Sequence, residues 1–297
     1  MFTFGAECEH GFTVEAAGTR WGGGGSRGAW SRSVTTVTNL AYDDRGTGEP
    51  VLFIAGSGGA GRGWHLFQAK AFLFAGYRVI TFDNRGIGAT ANADGFTTET
   101  MVADTAALIE NVVGGPVRIV AVSMGAYIAQ ELMLARPELV HSAVLMATRG
   151  REDAARTFFR SAEKQLADTD VQLPAEYGAK IRLLESFSPK TLNNDDAVAD
   201  WIAMFTMWPT PRTPGLRCQL GVAPETNRLP AYTAIRQPVL VLGFADDVVL
   251  PPHLSREVAD ALPNGRYREI PDTGHLGFIE APEAVNAAAL EFFAATK

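Results

Sequence analysis

The sequence predicts an α/β fold: a mostly parallel, doubly wound sheet with helices on both faces, interrupted by one long helical insertion. Three observations carry this expectation. From residue 38 onward, short β-rich runs alternate with helical patterns, the signature of βαβ units. The later runs are nearly continuous in Val, Ile and Leu, as expected of parallel strands covered on both faces. Between residues 150 and 235 the alternation stops, and more than eighty residues without a convincing strand separate two runs that a single crossover would otherwise join.

The elements follow in order. Residues 1–36, containing "GTRWGGGGSRGAWSRS", are rich in Gly, Ser and Arg, lack periodicity and read as a flexible leader outside the fold. Strands are predicted at 38–43, 50–55, 77–82, 116–122, 142–147, 237–243 and 266–271. "TTETMVADTAALIENVV" aligns Met101, Thr105, Leu108, Ile109 and Val112 on one helical stripe. At the end of the chain Pro282 suits a first helical turn, and Val285, Ala289, Phe292 and Phe293 form a second stripe. Residues 37–149 and 236–297 therefore make the core, and 150–235 a helical cap or lid.

Composition narrows the functional classes. With 46% hydrophobic and 20% charged residues, the chain has a soluble globular profile. No apolar run reaches the roughly 18 residues of a spanning helix. A net charge of −7 argues against a nucleic-acid groove or an anionic membrane surface, both of which need a basic face. A small-molecule substrate is the expected partner. Cys8 and Cys218 lie far apart without metal spacing, and the N-terminal stretch shows no secretory pattern, so a cytoplasmic location is expected.

"AGSGGAGRGW", residues 55–64, places a glycine cluster between the apolar run "VLFI" and a helical segment. Gly56, Gly58 and Gly61 satisfy G-x-G-x-x-G, and Asp83 stands where an acid would meet a ribose hydroxyl, so a nicotinamide-binding loop is one reading. The other is a loop that offers bare backbone amides to something else.

"VRIVAVSMGAYIAQELMLA" is a buried strand, then Ser123, then a helix apolar almost all round. A serine on so tight a turn needs small residues two places before and after it, and Ala121 and Gly125 supply them. A serine hydroxyl is a poor nucleophile until a base takes its proton and an acid holds that base. Of five histidines, His275 alone stands in a loop, "DTGHLG", between the last strand and the last helix. The acid should leave the end of the preceding strand, where "PVLVLGFADDVVLPP" offers Asp246 and Asp247. The D-x-x-x-P stretch leading into the next helix favours Asp247, with Asp246 as the alternative.

Serine, acid and histidine in that chain order, at successive strand ends, are the order of the α/β-hydrolase superfamily, which this sequence resembles from about residue 38 to its end. "FDNRGIGAT", "VSMGA" and "DTGH" are similar to the cofactor-free bromoperoxidase branch, and "GSGGAGRGW" is similar to a loop of carbon–carbon bond hydrolases acting on ring-cleavage products. The resemblance implies a Ser123–His275–Asp247 triad, and an oxyanion hole made by the backbone amides of Ser57 and Met124. It implies no metal and no haem, and a perhydrolase side activity in which hydrogen peroxide replaces water.

The expected activity is hydrolysis of a small apolar ester, thioester or lactone. Trp201, Met204 and Trp208 in the insertion are candidate substrate-binding residues, with core packing as their plainer role. Arg85 is a candidate contact for an anionic substrate, and Arg149, Arg151 and Arg217 read as solvated. The alternatives are carbon–carbon hydrolysis or elimination at the same site, a non-catalytic ligand sensor, and the nicotinamide enzyme.

Overall fold

The structure is a computed structural model that describes residues 40–90, 95–210 and 213–296. The predicted leader, with Cys8 and His10, lies outside the described residues.

Seven strands form one sheet in the order β1-β3-β2-β4-β5-β6-β7: β1 Tyr42–Arg45, β2 Pro50–Ile54, β3 Arg78–Phe82, β4 Val117–Val122, β5 Val140–Met146, β6 Val239–Phe244 and β7 Gly265–Ile270. Only β1 runs antiparallel, pairing Tyr42 with Phe82 and Arg45 with Val79; all other pairs are parallel. The first strand therefore begins later than the 38–43 run suggested. Leu40 and Ala41 are buried ahead of it, whereas its own residues, Tyr-Asp-Asp-Arg, are half-buried. Its position is set by the ladder with β3, which burial alone does not reveal. The edge strand β7, Gly-Arg-Tyr-Arg-Glu-Ile, likewise departs from the apolar pattern because it is only partly covered.

Alternation along the central strands sorts side chains to two faces. Ile54, Ile119, Ala121, Leu145 and Val241 pack on one face with Met101 and Leu108 of α2 (Thr98–Leu108), Ile128 of α3 (Met124–Ala135) and Val258. Phe53, Val120, Val122, Val144 and Leu242 pack on the other with Phe72, Val285 and Phe293. Those three come from α1 (Gln68–Phe74) and the last helix, Pro282–Ala295, whose predicted stripe of Val285, Ala289, Phe292 and Phe293 is buried. The predicted α2 stripe is also buried apart from Val112, which is partly covered where the helix closes in a π-turn, Ile109–Val113.

Between β5 and β6 the described residues contain helices and no strand: α4 Ala154–Ala167, α5 Ala175–Ser186, α6 Pro189–Leu192, α7 Asp195–Met207, α8 Pro214–Gln219 and α9 Leu229–Tyr232. A small core of Ala179, Leu183, Phe187 and Phe205 joins α5 to α7. After β6 come α10 Pro252–Ala261, then α11 Gly277–Glu280 and α12 Pro282–Ala295. No helix among the described residues is long and apolar enough to cross a membrane.

Candidate active site

The site forms at the carboxyl edge of the sheet. Ser123 leaves β4 with φ 55° and ψ −121°, a left-handed conformation that costs a non-glycine residue about 1–3 kcal/mol. The turn is held because Ser123 N donates to Met146 O at 2.9 Å and Tyr127 N donates to Ser123 O at 3.1 Å. Gly125 has no room for a side chain: a Cβ there would lie 2.4 Å from the Ile54 carbonyl oxygen. That close approach brings α3 against the end of β2, and with it the glycine loop.

His275 Nε2 lies 3.1 Å from Ser123 Oγ, and His275 Nδ1 lies 2.8 Å from Asp247 Oδ2. A carboxylate only accepts, so Nδ1–H donates to Asp247 and Nε2 is left to accept the serine proton. Asp247 is buried, and its second oxygen accepts from the amides of Val249 and Leu250, both at 2.8 Å. Asp246, the alternative, instead gives its backbone amide to Thr273 O at 2.8 Å. The other described histidines are engaged elsewhere: His65 with Thr81, His253 with Asp153, and His141 on β5 with Ser142.

The glycine loop stands against the serine. A Cβ on Gly56 would lie 3.2 Å from Ser123 Cβ. Among the described residues, the amides of Ser57 and Met124 donate to no protein acceptor, while their neighbours do: Gly58 N to Gln219 Oε1 at 2.8 Å and Gly59 N to Gly56 O at 3.0 Å. Asp83 has a structural task. Its two oxygens accept from Gly61 N and Ala89 N, each at 2.8 Å, tying the glycine loop to the turn of "DNRGIG". Trp64 seats the same loop in the core, its ring 5.3 Å from Phe53 and 5.1 Å from Phe278.

Other expectations change. Arg85 is closed by a two-pronged pair with Asp104 at 2.6 and 2.7 Å, so its charge is already met. Arg149 is not solvated: it is buried and paired with Glu152 at 2.8 Å, and burial pushes its pKa down. Arg151 and Arg217 pair with Glu257 and Asp168. Trp201 and Met204 pack against the small core of the insertion beside Leu276, the residue after His275, with the Trp201 ring 4.7 Å from Phe187. Trp208, one residue past α7, is 44% exposed, and its carbonyl accepts from Arg182 Nη1 at 2.8 Å. Among the described residues, no group of three or more His, Cys, Asp or Glu is placed to hold a metal ion.

Glu280 is a site residue that the sequence reading missed. Its carboxylate accepts from Gly274 N at 2.5 Å, Ser188 N at 2.9 Å, Ser188 Oγ at 2.7 Å and Thr191 Oγ1 at 2.6 Å. One side chain thus ties the His275 loop to the start of α6. Glu280→Ala is expected to destabilise the protein by about 1–3 kcal/mol for each of the two buried amides left without an acceptor. Urea unfolding checks this, and an unchanged midpoint overturns it. An acid five residues beyond a loop histidine carries no signal until the insertion is folded against it.

The sequence profile of the alpha/beta hydrolase family matches residues 51–288. The chain belongs to the alpha/beta hydrolase family. A Mycobacterium tuberculosis protein (strain ATCC 25618 / H37Rv) named "Putative non-heme bromoperoxidase BpoC" is 72% identical over 261 residues, 88% of this chain and 100% of that protein. Its crystal structure superposes with a TM-score of 0.86 at 71% identity, covering 88% of this chain and 98% of that one. A thermophilic esterase from Thermogutta terrifontis, solved with malate bound, is 28% identical, with a TM-score of 0.73 over 89% of this chain and 97% of its own. The family, the parallel sheet and the bromoperoxidase-like branch expected from "VSMGA" and "DTGH" agree with these relatives.

Proposed function

We propose that the protein is a serine hydrolase of small esters, thioesters or lactones, with Ser123 as nucleophile, His275 as general base and then acid, and Asp247 as the group that orients and stabilises the imidazolium. The observation that carries this reading is the unbroken chain from Ser123 Oγ through His275 to Asp247, at 3.1 and 2.8 Å. Ser123 attacks the acyl carbon as Nε2 takes its proton; His275 returns that proton to the leaving group, and water repeats the cycle on the acyl-enzyme. The amides of Ser57 and Met124 receive the oxyanion. Each such donor is worth about 3–4 kcal/mol of transition-state stabilisation.

In this reading residues 150–235 are a cap over the site, with Trp201 and Met204 bracing it beside His275. The names of the relatives support hydrolytic or perhydrolytic chemistry, and hydrogen peroxide attacking the same acyl-enzyme would yield a peracid. A fluorophosphonate probe tests the assignment. It should label the wild type and leave Ser123→Ala unlabelled, whereas equal labelling of the two would exclude Ser123 as the nucleophile.

A further inference from the structure

The end of β5 abuts the Ser123 turn through the Ser123–Met146 hydrogen bond, and three residues beyond Met146 the Arg149 side chain is buried. It meets Glu152 through one oxygen only, Oε1, at 2.8 Å, with both side chains 9% exposed. Arg156, on the first turn of α4, is as deeply buried at 8% side-chain exposure, and its Nη2 reaches Glu163 at 3.0 Å. Two buried atoms in this group have no hydrogen-bond partner: Arg156 Nε, a donor, and Glu152 Oε2, an acceptor. Buried polar groups are nearly always paired, and the protein supplies no partner for these two.

The end of α5 lies between this group and the histidine loop, with Glu185 feeling both Arg156 and His275. Leu276 N donates to Ser186 O at 2.9 Å, seating the end of α5 on the His275 loop. Gly274 passes so close that a Cβ would lie 2.7 Å from the Phe187 carbonyl carbon. Glu185, one residue before Ser186, is held toward its neutral form by burial and then by Glu163, against the pull of Arg156 and His275. Arg149 and Arg160, whose Nε lies 3.8 Å from Glu152, share that carboxylate, Arg156 meets Glu163, and Asp153 Oδ1 accepts from Arg156 N at 2.8 Å.

We propose that Arg156, backed by Arg149, forms a carboxylate-binding subsite beside Ser123 and His275, so that the substrate carries a free carboxylate in addition to its scissile acyl bond. This rests on the hydrolase reading and revises the expected apolar substrate to an anionic one. A carboxylate suits a planar guanidinium whose Nε–H is unpartnered, and such charge-assisted bonds are the stronger kind. Glu152 Oε2 meets the complementary need and takes a donor such as a hydroxyl on the same molecule.

Mono-4-nitrophenyl glutarate and 4-nitrophenyl valerate share chain length and leaving group and differ mainly in the terminal carboxylate. The wild type is expected to favour the glutarate about tenfold or more in kcat/KM, chiefly through KM. Arg156→Gln should collapse that ratio, and Arg156→Lys should keep part of it. Equal use of both esters by the wild type, or a preference that survives Arg156→Gln, overturns the subsite. Fluorophosphonate labelling is run alongside. If the wild type neither labels nor cleaves either ester, the hydrolase reading has failed, and calorimetric titration of glutarate into Ser123→Ala decides the subsite separately. Binding that weakens when Arg156→Gln is added supports it, and absence of binding overturns it.

Discussion

Ser123→Ala is expected to lower kcat by about 10⁴- to 10⁶-fold, the scale on which removing the nucleophile of a coupled triad falls. The Ser123 hydroxyl bonds to His275 Nε2, so the loss should fall on kcat with little change in KM. Its effect on stability should be small, because alanine inherits the same backbone, φ 55° and ψ −121°, and the same burial. Ser123→Gly separates chemistry from strain. Glycine adopts that conformation without the Cβ penalty, so this equally inactive variant should be about 1–3 kcal/mol more stable than Ser123→Ala by chemical denaturation. If Ser123→Ala retained turnover while His275→Ala lost it, the histidine would be acting as a base without an acyl-enzyme, and carbon–carbon hydrolysis or elimination would replace ester hydrolysis.

Asp247→Asn is expected to cost about 10⁴-fold in kcat with the fold preserved. Its remaining carbonyl oxygen can still accept from Val249 and Leu250, but an amide NH₂ facing His275 Nδ1 turns that nitrogen into an acceptor. The ring proton then sits on Nε2, which can no longer take the proton of Ser123. Asp247→Ala should be as inactive and also less stable, by about 1–3 kcal/mol for each of those two amides deprived of an acceptor. Asp246→Ala is the contrast: Asp246 contributes its backbone amide to Thr273, a bond that alanine keeps, so its stability should change by about 0.5 kcal/mol or less. Steady-state kinetics and urea melts on the three variants check the set. An inactive Asp246→Ala beside an active Asp247→Asn would exchange the two roles.

Much of the fold was legible because it is written in local patterns. The central strands were placed to within one or two residues by their apolar runs, and the last helix by Pro282 and its stripe. The first strand is expected too early because the apolar Leu40 and Ala41 extend the β-rich run, while the ladder with β3 begins only at Tyr42. Asp83 shows the same limit at the site. Its spacing from the glycine cluster fits a ribose ligand, yet its two oxygens are taken by Gly61 and Ala89. Arg149 shows it most clearly, since a polar run such as "TRGRED" reads as surface and only desolvation distinguishes its members.

By itself the sequence determined the parallel sheet, the tight turn at Ser123, and the order of serine, acid and histidine along successive strand ends. These follow from side-chain periodicity and from backbone sterics within a few residues, which a local stretch contains in full. The tertiary structure alone decided that Asp247 and not Asp246 meets His275, that Glu280 ties the histidine loop to α6, and that Arg149 and Arg156 are drawn out of water beside the site. Each of these depends on segments distant in sequence approaching one another, as Ser186 approaches Leu276, and on the removal of water where they meet.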